Sequence, residues 1–492
     1  MTRAPNRLAL SAIALAAACP ALLALAVFGV IETPDSPGYI AYAAQLHGAL
    51  PTGDALLREA PSPITLFRMG GYPALLAALQ SLTPRWRLAT VLLQIAALSA
   101  LAAATHQAAR RLGAPPARAL AAALLPATGF GVVVQLCILT DALYAALAAG
   151  AALLLAARPG PRPALAAGLM LALATTLREA TPLLALAYLP LACLTEPRPA
   201  TRRLACALLL LAPPFATAAA QVAWNAQRGA GPVLTTSRQT VMVQAVLPLL
   251  RRHPDLLAPD PATPPDDARF DAAARDTVGQ GEYARIDDLH RRLFAEGMDA
   301  PAMAAAAGRL YRRAWTAHPA PMLLATLGNL RHEFLALPFQ PLDTVGALMV
   351  YAGWPRPAFD RLNLEWAALR HGSATAALCI AADVLTRLLG TAIACLAIAA
   401  PWLPATRRAT PPDTLRRLRG LWLVCAGFVA LYAPVHLEPR YLVPIVPLAC
   451  LIAACARQQA WALPPLPIPT AQGGRRNLGA APPKPAKGPR TL

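Results

Sequence analysis

Two carboxylates and three arginines stand at the ends of apolar segments in this sequence. Asp35 follows the first long apolar run by five residues, and Asp141 opens another apolar run. Arg68, Arg178 and Arg440 also lie beside apolar stretches. An ionisable group is costly near lipid, so charges kept at such boundaries indicate a functional site. A carboxylate there can deprotonate a hydroxyl group or hold a divalent cation, and a guanidinium group fits phosphate oxygens.

The alternative for each of these charges is an ordinary solvated helix end. Asp35 could cap the helix that starts after it, but Ser36 also fits the N-cap and a proline follows it at the first helical position. We therefore predict that Ser36 caps the helix and leaves Asp35 free. Tyr39, Tyr42 and Leu46 then share one face at spacings of three and four, which predicts a short amphipathic helix on the membrane surface.

Composition assigns the chain to the membrane proteins. Of its 492 residues, 57% are hydrophobic and only 14% are charged, and runs of about 20 apolar residues cross a bilayer. The first run is longer than the apolar part of a signal peptide, so we interpret it as a span. We predict an all-α polytopic bundle of about ten spans, or up to twelve. Their positions are near 8–30, 88–108, 119–135, 138–157, 164–177, 181–195, 204–223, 374–404, 421–437 and 441–456.

The positive charge is distributed unevenly. The net charge is +19, and the segments predicted to face the cytoplasm hold 21 Lys or Arg against two acids, Glu196 and Asp413. This is the positive-inside pattern, so the charge reports topology and we expect no nucleic-acid partner. Both termini are predicted to be cytoplasmic. The Ala-, Arg- and Pro-rich composition is typical of a GC-rich bacterium, which predicts the inner membrane.

The predicted domains follow from these spans. Residues 1–223 form an amino-terminal transmembrane module with a first outer loop at 31–87. Residues 224–371 carry 15 of the 25 acids and 16 Arg, which predicts a nearly neutral, partly helical extracytoplasmic insertion. Residues 372–457 form carboxy-terminal spans. Residues 458–492 are rich in Pro, Gly, Lys and Arg and are predicted to be a disordered cytoplasmic tail.

This topology brings the chemical residues to the outer face. The short turn His436-Leu-Glu438-Pro-Arg440-Tyr441 lies on the same side. A lipid phosphate presents its head at that interface while its chain stays in the bilayer. Shallow carboxylates and arginines would suit such a ligand, and Asp35 with Asp141 could hold a divalent cation if one is bound.

The order of these motifs resembles the GT-C superfamily of polytopic glycosyltransferases that use polyprenyl-phosphate sugars. The similarity is greatest to the protein-mannosyltransferase-like and aminoarabinose-transferase-like branch, with bacterial lipopolysaccharide glycosyltransferases. It rests on Asp35 with Tyr39, Arg68 before Gly71-Tyr72-Pro73, Thr140-Asp141, Thr176-Leu-Arg178-Glu179 and Arg440-Tyr-Leu-Val-Pro444. It covers residues 8–225 and, in outline, 420–456. The sequence departs from the pattern at Ser36, where many relatives have Glu, and at Met69, where Pro is usual.

The resemblance implies a GT-C-like helix bundle that transfers a sugar from a polyprenyl-phosphate donor to an extracytoplasmic glycan, glycolipid or protein. It implies that Asp35 is the general base, with inversion at the anomeric carbon, and that Asp141 orients the donor or a metal. It implies phosphate binding by Arg68, Arg178 and Arg440. No cofactor is expected other than a divalent cation, and membrane lipids surround the site. Site-lining residues would be Tyr39, Tyr72, Glu179, His436, Glu438 and Tyr441.

Two other classes of function stay open. A transporter or flippase for a lipid-linked sugar would carry charges deep in its spans and repeats of topology. Only Asp383 and Arg387 fit that description, and they are four residues apart and can pair on one helix. A catalytically silent scaffold of an envelope complex is the second alternative.

Overall fold

The structure is a computed structural model that describes residues 7–49, 63–193, 199–259, 263–335, 341–354 and 370–456. Over these ranges the chain is all-α, and its one β feature is an isolated parallel bridge between Ile31 and Cys137. The predicted tail, the part of the first outer loop from 50 to 62, and the Asp383 side chain lie outside the described residues.

The amino-terminal part consists of helices joined by short turns. They are α1 (Arg7–Phe28), α2 (Ser36–Ala49), α3 (Pro63–Phe67), α4 (Gly71–Leu82), α5 (Trp86–Arg111), α6 (Pro116–Leu124), α7 (Gly131–Leu136), α8 (Asp141–Ala157), α9 (Pro161–Thr175), α10 (Thr181–Ala185), α11 (Leu189–Cys193) and α12 (Ala200–Gln227). Short 3₁₀ turns at Leu125–Thr128 and Leu186–Tyr188 complete it.

The rest of the chain adds an insertion and a carboxy-terminal group. The insertion helices are α13 (Arg238–Leu250), α14 (Pro265–Thr277), α15 (Ile286–Ala295), α16 (Ala300–Ala317), α17 (Pro319–Leu335) and α18 (Pro341–Tyr351), with 3₁₀ turns at Pro254–Leu257 and Tyr283–Arg285. The carboxy-terminal helices are α19 (Ala374–Ala399), α20 (Pro404–Ala409), α21 (Pro412–Tyr432), α22 (Pro439–Leu442) and α23 (Val446–Cys455).

Among the described residues, four helices are long and apolar enough to cross a membrane: α1, α5, α12 and the part of α19 from Ala376 to Ala399. Shorter apolar helices are Asp141–Ala157, Thr181–Cys193 and Val446–Cys455. The number of ten spans is therefore not reached by continuous long helices in the described residues. The predicted span 119–135, for example, is divided into α6, a 3₁₀ turn and α7.

Small residues hold the centre of the bundle together. Helix α8 buries Ala148, Ala149 and Ala152 between its neighbours. A Cβ added to Gly168 would lie 2.3 Å from the carbonyl oxygen of Leu209, so α9 and α12 pack backbone to backbone. Without a hydrophobic driving force inside lipid, such close approach is what holds apolar helices together.

The insertion has a hydrophobic core of its own. Phe270, Leu289, Leu293 and Leu310 are fully buried in one cluster formed by α13 to α17. The helical register of α12 continues to Gln227, so the predicted boundary between residues 223 and 224 falls inside this helix. The insertion returns to the amino-terminal part near residue 354, where the rings of Trp354 and Phe28 are 5.3 Å apart.

Candidate functional site

The loop that carries Asp35 is fixed to the turn before α8. The Ile31 N–H donates to the Leu136 carbonyl and the Ile138 N–H donates to the Ile31 carbonyl, both at 3.0 Å. The Ser36 hydroxyl donates to the Ile138 carbonyl at 3.0 Å and accepts from the Thr33 N–H at 2.8 Å. These bonds bring the first loop beside Asp141, although more than one hundred residues separate them in sequence.

The Ser36 bonds correct one prediction. Its side chain does not cap α2, because it bonds the loop and the Ile138 carbonyl instead. Asp35 does not cap α2 either. Its two carboxylate oxygens accept from two arginines.

Asp35 is shared by Arg68 and Arg440. Arg68 Nη2 donates to Oδ1 at 2.7 Å, and Arg440 Nη1 donates to Oδ2 at 2.6 Å. The three side chains are 32%, 21% and 20% exposed, respectively, so a ligand can reach them. Burial raises the pKa of Asp35, but the two guanidinium groups outweigh burial and hold this pKa at about 2. The carboxylate is therefore ionised at neutral pH.

Tyr39 contacts Arg68 directly, and Tyr72 packs against Tyr39. Arg68 Nη1 donates to the Tyr39 hydroxyl at 3.1 Å, and its guanidinium lies 4.5 Å from the Tyr39 ring centroid. The Tyr72 ring meets the Tyr39 ring edge to face at 5.2 Å. Tyr72 is fully buried, and its hydroxyl donates to Gln94 Oε1 at 2.8 Å. Tyr72 is therefore a support for Tyr39 and not part of the site surface.

The turn before α22 adds a second acid and a histidine. Glu438 forms an ion pair with Arg440 Nε and a 2.5 Å hydrogen bond with His436 Nε2. Burial raises the pKa of Glu438, but His436 and Arg440 hold it below its usual value. Arg440 thus forms ion pairs with two carboxylates through different nitrogens, and its contact with Asp35 is also a hydrogen bond.

The Asp141 pair lies deeper in the bundle. Arg178 forms an ion pair with Asp141, and their side chains are only 12% and 2% exposed. Asp141 is in the first turn of α8, where the helix dipole favours a negative charge. The Arg178 guanidinium lies 4.9 Å from the Tyr144 ring centroid and 4.6 Å from that of Tyr441.

Tyr441 connects the two ion-pair groups. Besides Arg178, the Arg440 guanidinium lies 5.3 Å from the same ring centroid. Burial lowers the pKa of Arg440, but Tyr441, Asp141, Glu438 and Asp35 together raise it well above its usual value. The two carboxylates and three arginines therefore form one connected group, the constellation, in which Tyr441 lies between Arg178 and Arg440.

A glycine positions the turn that carries Arg178. The Gly71 N–H donates to the Thr176 carbonyl at 3.0 Å, so α4 starts directly against the end of α9. A Cβ on Gly71 would lie 2.1 Å from Thr176 Oγ1. The Gly-Tyr-Pro sequence thus serves packing as well as the site.

Glu179 points away from this constellation. Its Oε1 accepts from the Ser237 hydroxyl at 2.5 Å, at the start of the insertion. The predicted site residue Glu179 therefore joins the bundle to the insertion and does not line the site with Asp35.

Two further residues, Tyr283 and Gln94, contact or support the predicted site residues but were not themselves predicted. The Tyr283 ring, from the insertion, stacks on His436 with centroids 6.4 Å apart. Gln94 donates to the Gln135 and Cys137 carbonyls at 2.9 and 2.8 Å while it holds Tyr72. A glutamine in an apolar run, as in Leu-Leu-Gln94-Ile, is the signal that could have indicated a buried polar contact.

The two predicted cation ligands are both occupied by arginines. Asp35 and Asp141 belong to no group of three metal-ligating side chains within the described ranges. One such group exists in those ranges, and it lies in the insertion at His253, Asp255 and His318. A cation held by Asp35 and Asp141 stays a prediction, and the observed arrangement favours a site built on arginine.

No family model, no curated protein and no solved structure matches this chain. The likeness to the GT-C superfamily therefore rests on the ordered motifs of the sequence alone.

Proposed function

We propose that this chain is a glycosyltransferase that moves a sugar from a polyprenyl-phosphate donor to an acceptor outside the cytoplasm. The observation that carries this proposal is the sharing of one accessible carboxylate, Asp35, by Arg68 and Arg440. Two guanidinium groups that converge on one carboxylate can converge equally on a phosphate, whose oxygens match their forked geometry.

Ligand exchange at these arginines would change what Asp35 can do. With both arginines attached, its pKa of about 2 makes it a weak base. A donor phosphate that takes over Arg68 and Arg440 removes the two groups that lower this pKa. The remaining influence is burial, which raises it. Donor binding would therefore convert Asp35 from an ion-pair partner into a base.

The proposed reaction is a single displacement. Asp35 takes the proton of the acceptor hydroxyl as its oxygen bonds to the anomeric carbon of the sugar. The bond from that carbon to the phosphate oxygen breaks, and the polyprenyl phosphate leaves with the bonding electrons. Arg68 and Arg440 stabilise the charge that develops on the phosphate. Attack opposite the leaving group inverts the anomeric centre.

The deeper pair would have a different role. Arg178 and Asp141 are almost fully buried and bound to each other, so we assign them to the orientation of Tyr441 and, through its ring, of Arg440. The insertion would cover the acceptor side, where Tyr283 meets His436.

The same proposal includes the finer topology. The chain would be a multi-pass protein of a bacterial inner membrane with about ten spans, cytoplasmic termini and the Asp35 site facing the periplasm. The apolar helices α1, α5, α12 and Ala376–Ala399 support membrane insertion. The acceptor would be an envelope glycan, a glycolipid or a protein.

The test starts from cells that lack the protein. Their envelope glycolipids and glycans are compared with wild type by mass spectrometry to find the missing sugar. Membranes that contain the restored protein are then supplied with the matching polyprenyl-phosphate sugar, and transfer is measured. Asp35→Asn should abolish transfer while the protein stays folded and inserted.

The matched control is Glu32→Gln, on the same loop. Glu32 pairs with Arg87 at 2.7 Å and is 41% exposed, so its loss should leave turnover unchanged. Wild-type turnover by Asp35→Asn would refute the role of Asp35. Movement of the lipid-linked sugar across the bilayer without a covalent product would favour the transporter instead. Loss of the sugar product with Asp35→Asn, while binding to envelope partners is intact, separates the enzyme from a silent scaffold.

A further inference from the structure

Two histidines of the insertion end helices in the same way. His253 follows α13 and His318 follows α16, and each is followed directly by a proline. A proline disfavours the helical conformation for the residue before it. The two histidines accordingly share nearly one backbone geometry, with φ −131° and ψ 66° at His253 and φ −131° and ψ 58° at His318.

The two helix ends lie side by side. The His253 N–H donates to the Leu249 carbonyl at 2.8 Å and the His318 N–H donates to the Ala314 carbonyl at 2.9 Å, so each histidine closes the last turn of its helix. Leu249 and Ala314 are buried in the insertion core. The imidazole rings extend from this packed base with centroids 4.0 Å apart.

A carboxylate completes the group. Asp255 lies in the 3₁₀ turn Pro254–Leu257, and its Oδ2 is 2.9 Å from His318 Nε2. Leu256 and Leu257 of the same turn are buried, which anchors the turn against the core. One ligand atom from each of His253, Asp255 and His318 lies within 4.8 Å of the others.

We propose that His253, Asp255 and His318 form a binding site for a zinc-like divalent transition-metal ion. Two imidazoles and one carboxylate are a ligand set that suits zinc and its neighbours, whereas magnesium and calcium prefer oxygen alone. Donor atoms around tetrahedral zinc lie about 3.4 Å apart, as follows from bonds of about 2.1 Å. The observed donor atoms lie within 4.8 Å of one another, so they must move closer together when an ion binds.

The environment of the group supports a metal more than a plain ion pair. Asp255 Oδ2 already lies 2.9 Å from His318 Nε2, so the carboxylate faces the imidazole nitrogen with which it would share an ion. His318 is only 18% exposed, whereas Asp255 is 63% exposed. The site therefore has a buried side built by histidine and an open side, where water can supply the fourth ligand.

The site is separate from the proposed reaction, because none of its residues contacts the Asp35 constellation in the bonds described above. An ion there would join the carboxy-terminal ends of α13 and α16. Its test does not depend on sugar transfer.

The experiment uses the full chain, without an affinity tag that contains histidine, purified in detergent and stripped of metal by a chelator. Zinc ions alone are titrated against it by calorimetry and by competition with a chromophoric zinc indicator. We expect one equivalent to bind. His253→Ala and His318→Ala should each weaken binding at least about tenfold. The matched control is His371→Ala, an exposed histidine elsewhere, which should bind as wild type.

Two further measurements exclude trivial explanations. Elution volume and melting temperature are compared to confirm that the variants fold. Zinc should then raise the melting temperature of wild type and of His371→Ala by the same amount and that of His253→Ala by less, because a ligand stabilises the state that binds it in proportion to its affinity. Binding by the double variant of His253 and His318 equal to that of wild type would overturn the proposal. Equal binding of magnesium would overturn it as well.

Discussion

Gly71→Ala should lower the free energy of unfolding, because the added methyl group would clash with Thr176. The new Cβ would lie 2.1 Å from Thr176 Oγ1, 2.4 Å from Thr176 Cβ and 2.7 Å from the Thr176 carbonyl oxygen. All three distances are well below normal contact, so α4 and the end of α9 must separate by about 1 Å. Overpacking of this kind costs about 1–3 kcal/mol.

The same displacement should reduce function. Arg178 lies in the same turn as Thr176, two residues further along the chain. Its side chain is bound to Asp141 at the start of α8. A misplacement of about 1 Å near a reaction centre can reduce turnover about 100-fold. We therefore expect Gly71→Ala to lose activity more than its loss of stability explains.

The assay is unfolding by sodium dodecyl sulfate in mixed micelles, followed by circular dichroism, beside the sugar-transfer assay. Thr176→Gly removes two of the three clashing atoms. In the Gly71→Ala background it should restore about 1–2 kcal/mol, measured as a double-mutant cycle. The control Gly38→Ala, also near a helix start, meets nothing within 4 Å and should be neutral or slightly stabilising. An unfolding curve of Gly71→Ala that equals wild type, or additive effects in the cycle, would refute the steric reasoning.

Three other predictions concern charge. The pKa of Asp35 in the folded protein is about 2, below its ordinary value of 3.8, so the ionised carboxylate stabilises the folded state by about 2 kcal/mol. This stabilisation is present above pH 4 and is lost as pH falls towards 2. Asp35→Asn should therefore flatten this part of the acid-unfolding profile. Asp141→Asn should lower the free energy of unfolding by about 3–5 kcal/mol, because Arg178 is left buried without a counter-ion. In the same unfolding assay, the double variant Asp141→Leu with Arg178→Met should recover most of this stability. It should not recover sugar transfer. Arg440→Lys should reduce transfer about tenfold or more, because one ammonium nitrogen cannot replace the two guanidinium nitrogens that contact Asp35 and Glu438. Arg87→Lys, at an exposed pair, should match wild type.

The sequence predicted the class of fold because composition and run length decide it. An all-α chain with helices long enough to cross a membrane follows directly from the apolar runs. The exact number of spans did not follow. The segment 119–135 contains Pro126 and Gly129, residues that interrupt helices, and the chain divides there into two short helices and a 3₁₀ turn. Composition over a long window records the apolar character of such a segment but not this division.

The constellation was only partly predictable. Asp35, Arg68 and Arg440 could be assigned to one face because each adjoins an apolar run. Their pairing could not, because Arg440 is 405 residues from Asp35 and depends on the closure of the whole bundle. Adjacent residues in one turn can also differ, since Arg178 pairs with the buried Asp141 while Glu179 bonds to Ser237.

The histidine group was missed for a different reason. His253 and His318 are 65 positions apart, which exceeds the spacing of ordinary metal motifs in a sequence. Only the packing of α13 against α16 brings their ends together. A repeated His-Pro pair at predicted helix ends is the signal that could have indicated it.

The bridge between Ile31 and Cys137 has a mechanical consequence. The Ile31 N–H donates to Leu136, and the Ile31 carbonyl accepts from Ile138. A displacement of the first loop is therefore transmitted to the residues that lead into α8. Asp35 and Asp141 follow these two bonded segments, so a shift of one acid should be accompanied by a shift of the other. The Ile31 and Ile138 amides should exchange with deuterium at one common rate, because both become exposed only when this bridge opens. While the bridge is closed, the relative position of Asp35 and Asp141 should stay constant.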